Sequence, residues 1–202
     1  LGEDIEQVRR LHDEALELLD APLGEAVASA AHVELGLCAL DMGHLGLAAS
    51  HFERGLASES FTIHMARPML LAGAALVHLR RGELDDARQH ADEATVYASE
   101  RAMQHVLPFT ALVNAEVAAA SGDPDAALDH AERGDALARA QGMRPTRVEL
   151  LVSSARVLTL RDREADAAER RATAAQLVDE MAGEIAEPSR RERYRSAALQ
   201  RL

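Results

Sequence analysis

An all-α fold, about ten helices paired into stacked antiparallel hairpins that wind as a right-handed superhelical solenoid, is what the sequence predicts from three observations. The first is composition: Ala accounts for 41 of 202 residues and aromatic residues for 2 %. Ala is the strongest helix former and offers little to a β-sheet, so all-β architectures are excluded, while 48 % hydrophobic residues excludes disorder. The second is periodicity, because apolar residues recur at i, i+3, i+4 and i+7, as in Val33, Leu37 and Leu40, or Ala72, Leu76 and Leu79. The third is self-similarity. GHLGLA from Gly43, GELDDA from Gly82, GDPDAA from Gly122 and DREADA from Asp162 follow one another at intervals of 39, 40 and 40 residues, each between two apolar helical stretches.

The elements follow in order. An opening helix is expected at residues 3–20, then helix–turn–helix units at about 23–60, 61–101, 102–142 and 143–183, and a last helix at 189–202. Gly before the turn supplies a left-handed cap in three units, and Asp162 in its place predicts a slightly different fourth turn. Five residues past each turn position stands a small residue, Ala48, Ala87, Ala127 or Ala167, which lets the two helices approach closely. Pro68, Pro108, Pro145 and Pro188 mark the starts of the following first helices, where a missing N–H costs least. Thr146 with Glu149, and Ser189 with Glu192, match capping boxes. No linker or break in composition interrupts the series, so residues 1–202 read as a single repeat domain. The chain opens on Leu1 without Met, as a piece of a longer protein would.

Charge and chemistry exclude several functions. Twenty-two Arg against 34 Asp and Glu give −12, a field that repels a phosphate backbone, so nucleic acid is not an expected direct partner. No signal peptide and no apolar run of spanning length is present, and Cys38 is the one cysteine, so no membrane partner and a cytoplasmic location are expected. Cys38, among small apolar residues, reads as a buried inert thiol. His51, His90 and His130 occupy one place in successive repeats, roughly 10–20 Å apart when helices pack at 8–10 Å, too far to share an ion. The other histidines show no i, i+4 pair. No metal, no cofactor, no catalytic residue and no enzymatic activity are expected, since no nucleophile or acid–base motif occurs.

Leu35, Gly36, Gly43, Ala48 and Phe52 stand at the spacings of the tetratricopeptide repeat, which this chain resembles over almost its whole length. Ala75, Gly82 and Ala87, then Ala115, Gly122 and Ala127, repeat the pattern more weakly. The period near 40 exceeds the usual 34, and the aromatic positions are mostly Ala. In this the chain looks like the longer repeats of large bacterial transcriptional activators and signalling ATPases. The resemblance implies a non-catalytic protein-interaction module that binds a protein segment or peptide in a concave groove. It places Val33, Leu37, Leu40, Met69, Leu76, Phe109, Leu112, Glu116 and Arg156 in that groove, with Ala72, Leu79 and Val152 nearby. The alternatives are a ligand- or peptide-sensing arm of a multidomain regulator and a homodimer formed through the apolar face. The last helix holds five Arg and one Glu, a balance of +4 against −16 on residues 1–187. Arg190, Arg191, Arg193 and Arg195 there are either a polar cap on the acidic repeats or a docking surface for an acidic partner.

Overall fold

A computed structural model describes residues 22–59 and 62–202, together with Arg10 and Glu14. The opening helix expected at 3–20 therefore lies outside the described residues apart from Arg10 and Glu14, which are both helical and ion-paired. Among the described residues the fold is all-α: α1 (Pro22–Asp41), α2 (Leu45–Ala57), α3 (Ile63–Arg81), α4 (Leu84–Glu100), α5 (Leu107–Ala120), α6 (Pro124–Ala140), α7 (Arg144–Leu160), α8 (Glu164–Gly183) and α9 (Pro188–Leu199). None of these helices is long and apolar enough to cross a membrane. The chain forms two compact units, Leu1–Arg101 and Ala102–Leu202, divided where the second repeat was expected to meet the third.

Within each unit the short turns force consecutive helices to pack as hairpins, and each hairpin leans on the next. In Leu1–Arg101, α1 packs on α2, α3 on α4, and α3 also on both helices of the first hairpin. Ala102–Leu202 repeats the scheme with α5, α6, α7 and α8, and α9 closes it against α8. All four turns are alike. Gly43, Gly82 and Gly122 have φ of 75°, 77° and 77°, and the amide after each bonds back to the carbonyl five residues earlier at 2.8–3.0 Å. The fourth turn was expected to differ, and it does not: Asp162 takes φ 56° and Arg163 N–H reaches Leu158 C=O at 2.9 Å. A short polar side chain tolerates the left-handed region well enough for this hydrogen-bond pair to prevail.

The start of α3 and the two capping boxes depart from expectation, while Pro145 and Pro188 stand at helix starts as expected. α3 begins at Ile63, so Pro68 stands inside it, and α7 begins at Arg144 and α9 at Pro188. Thr146 and Ser189 are consequently helical and not caps; the Ser189 hydroxyl donates to Glu187. The turn alanines are as anticipated, with Ala48, Ala87 and Ala167 fully buried and Ala127 1 % exposed. The core of the first unit is built on Phe52, Leu70, Val77 and Val33, and that of the second on Leu150 with Ala115, Ala131 and Ala138, and on Leu151, Val152, Ala174 and Val178. Leu70 and Leu150 enter equivalent notches: an added Cβ would stand 2.5 Å from Leu70 Cδ2 at Gly55 and 2.7 Å from Leu150 Cδ2 at Gly134.

One polar pair is buried in the first hairpin. His32 on α1 and His51 on α2 face each other Nδ1 to Nδ1 at 3.0 Å, beside Ser29, whose hydroxyl donates to Gly55 C=O. Such a bond needs one ring to donate its Nδ1–H and the other to keep that nitrogen bare, so both rings cannot be charged. Burial, helped by the Arg54 charge, holds His32 below the ordinary imidazole value of 6.5. The unfolded chain then binds a proton that the folded unit refuses. Stability from this source is complete above pH 6.5 and drains as the pH falls toward the folded value, by at most about 1.4 kcal/mol per pH unit for one proton. Urea titrations of the chain between pH 7 and pH 5.5 are expected to show this slope, and His32→Asn to flatten it. An equal slope in the variant would assign the proton elsewhere.

Candidate functional site

The sequence-derived groove positions divide by unit. In Leu1–Arg101, Val33 is 5 % exposed and belongs to the core, which corrects its assignment to a partner-binding surface: the first-helix register turns it inward, toward Phe52. Leu37, Leu40 and Met69 are half-buried against that same core, and Leu76 is half-buried. These four leave an apolar strip along α1 and α3. In Ala102–Leu202, Phe109 is half-buried and Leu112 packs on the cluster around Leu150. Glu116 and Arg156, one repeat apart, bond to each other at 2.8 Å across α5 and α7. They tie neighbouring hairpins together and so present a neutral pair.

The last hairpin carries a built cavity. Between α7, α8 and α9 lies an open cleft of about 310 Å³, walled by Pro145, Val148, Val152, Val178, Met181, Ala197 and Ala198. Its rim is polar: Glu149 and Arg201 face each other at 3.7 Å, and Tyr194 turns its hydroxyl to Met181 Sδ at 3.6 Å. The floor forms because first-helix residues four apart, Val148 and Val152, meet Val178 of α8, while Tyr194, Ala197 and Ala198 of α9 form the facing wall. An apolar wall with few polar groups at the mouth suits an aliphatic or aromatic group that brings its own polar flank.

Of the cleft residues, sequence reasoning reached Val152 and missed Met181, Tyr194 and Ala198. The last helix was read by its charge, and its apolar side, Ala198, Leu199 and then Leu202, is what packs on the α7–α8 core. Its arginines mostly serve the chain itself. Arg191 donates twice to Ile185 C=O at 3.0 and 2.8 Å, Arg195 binds Asp179 at 2.6 Å, and Arg190 lies 3.7 Å from Glu187, while Arg193 is exposed. Asp179 raises the pKa of Arg195 through that hydrogen bond.

Two further places carry reactive side chains. Cys38, expected buried, is half-buried, and desolvation followed by the Asp41 charge raises its thiol pKa, which disfavours the nucleophilic thiolate. At the α3–α4 turn, His78, Glu83 and Asp86 bring ligand atoms within 4.8 Å of one another, the one such group of three among the described residues. Spacing along a single helix could not reveal it, because His78 and Asp86 belong to opposite arms of the hairpin. No protein-family model and no curated protein matches the chain.

Proposed function

We propose that this chain is a non-catalytic binding module that takes a protein segment or peptide, an apolar side chain of the partner seating in the cleft of the Ala102–Leu202 unit. The cleft supports this reading: its walls offer aliphatic contact area, and its rim offers one acid, one base and one hydroxyl to orient a backbone. The partner that fits is an amphipathic helix or an apolar peptide. Helices fixed by packed hairpins present the cleft already formed, so the entropy lost on docking falls mainly on the partner.

Ala197 is exposed at the cleft wall, so Ala197→Trp fills the cleft without entering the core. In fluorescence anisotropy with a labelled amphipathic peptide, that variant is expected to bind at least about tenfold more weakly, a loss of roughly 1.4 kcal/mol. Far-UV circular dichroism is expected to stay unchanged. Leu76→Asp tests the apolar strip of α1 and α3 in the same way. Loss of binding in Leu76→Asp with full binding in Ala197→Trp would move the seat to the Leu1–Arg101 unit, and binding unchanged in both would overturn the reading. A second reading, a sensor for a small apolar molecule, is favoured by the volume: about 310 Å³ is at the lower end of small-molecule sites. There α9, which forms one wall, is the element a ligand would shift.

A further inference from the structure

We propose that the turn joining α3 to α4 is a binding site for a divalent first-row transition cation, held by His78, Glu83 and Asp86 with His90 beside them. The three ligand atoms already lie within 4.8 Å of one another. Ligands about 2.0–2.2 Å from one ion stand roughly 3.0–3.6 Å apart, so a rotamer change in the exposed Asp86 closes the set. His78 Nδ1 and Glu83 Oε2 are 2.6 Å apart, sharing a proton. A cation that displaces that proton needs them to separate by less than about 1 Å.

His90 stands beside these three and holds the His78 ring in place. Its ring stacks on His78 with centroids 5.0 Å apart and planes 22° from parallel. Its Nδ1 lies 2.9 Å from Asp86 C=O, so Nδ1–H donates there and anchors the ring to α4. That bond and the stack fix one side of the His78 ring, as outer partners of a metal ligand do. The backbone below is rigid: Gly82 N–H bonds to Leu79 C=O at 3.1 Å and Glu83 N–H to His78 C=O at 3.0 Å.

Helix capping does not account for the group. Asp123, which holds Glu83's place in the next turn, caps its helix by accepting from Ala126 N–H at 3.0 Å. Glu83 makes no such bond and turns back to His78. The other three turns carry Ala39, Ala118 and Leu158 where this one has His78, so the shared fold does not demand it. Imidazole with carboxylate selects zinc, cobalt or nickel over magnesium or calcium, and a chain at −12 attracts cations. A bound ion would clip α3 to α4 and stabilise the folded unit by mass action.

The test is calorimetric titration of Zn²⁺ into the metal-free full chain, with Co²⁺ absorption as a check on nitrogen and oxygen coordination. One ion per chain is expected, with a rise in melting temperature. His78→Ala is expected to weaken binding at least 10-fold, and Asp86→Asn and His90→Ala to weaken it measurably, whereas His64→Ala leaves it unchanged. All of these side chains are exposed or half-buried, so the variants keep their helix content. Absence of binding at about 1 mM Zn²⁺, or equal affinity in wild type, His78→Ala and Asp86→Asn, overturns the site.

Discussion

Phe52→Ala is expected to cost the Leu1–Arg101 unit about 3–5 kcal/mol, read as a lower midpoint in urea denaturation followed by far-UV circular dichroism. Phe52 has no exposed surface and is the largest fully buried side chain among the described residues. It sits where two first helices meet. A Cβ on Gly36 of α1 would lie 2.4 Å from Phe52 Cε1, and one on Gly73 of α3 would lie 2.3 Å from the same atom. Both helices have given up a side chain to admit the ring. Gly36→Ala and Gly73→Ala are therefore each expected to destabilise by about 1–3 kcal/mol, even though Ala is intrinsically the better helix former by about 1 kcal/mol. In the Phe52→Ala background the sign reverses, because each methyl enters the space the ring has left. That reversal is the decisive measurement. Additive effects would show that the glycines serve something other than the ring.

Arg147→Ala is expected to destabilise the Ala102–Leu202 unit by about 2–4 kcal/mol. Arg147 Nε on α7 donates to Asp135 Oδ1 on α6 at 2.8 Å, and the two side chains are only 11 % and 19 % exposed. Removing one partner leaves the Asp135 carboxylate poorly hydrated and unpaired. The double change Arg147→Met with Asp135→Leu is expected to recover most of the loss, since the pair must first repay its own desolvation. Thermal melts of the three variants decide the matter, and a double variant as weak as the single one would show that the ion pair itself carries the contact. The exposed pairs are of another kind. Arg156 with Glu116 and Arg170 with Glu132 link neighbouring hairpins, yet with Arg156 62 % and Glu132 58 % exposed each contributes about 0–1 kcal/mol. Arg144 and Glu184 form a bidentate pair at 2.8 Å whose hydrogen bonds raise the pKa of Arg144 and lower that of Glu184. They orient α7 and the end of α8 at the surface.

The hairpins were legible because they depend on near neighbours in the chain. A Gly four residues past the last buried turn of a helix, a small residue five further on and apolar positions at helical spacing are local signals. They located the helices from α1 onward to within a few residues, except the early start of α3. The functional candidates were less legible. Leu37, Leu40, Met69 and Leu76, expected to face a groove, are half-buried, and Val33, one turn from Leu37 on α1, is core. First-helix register depends on where the next hairpin leans, and Phe52 wedged between Gly36 and Gly73 sets that angle. The histidines show the same limit. His51 and His90 hold the same place in successive repeats, yet one is buried against His32 and the other stacks over a carboxylate turn.

Composition, repeat spacing and turn residues thus account for an all-α chain of consecutive hairpins, since helix propensity, left-handed caps and close-packing alanines act over a few residues. Which polar groups meet, and where a cleft opens, depends on pairs far apart in the chain: Glu116 with Arg156, Asp135 with Arg147, His78 with His90, and Val148 with Tyr194 across the α7–α9 cleft. Those encounters follow from how helices pack within each hairpin and between neighbouring hairpins, where a shift of a single helical position exchanges buried residues for exposed ones.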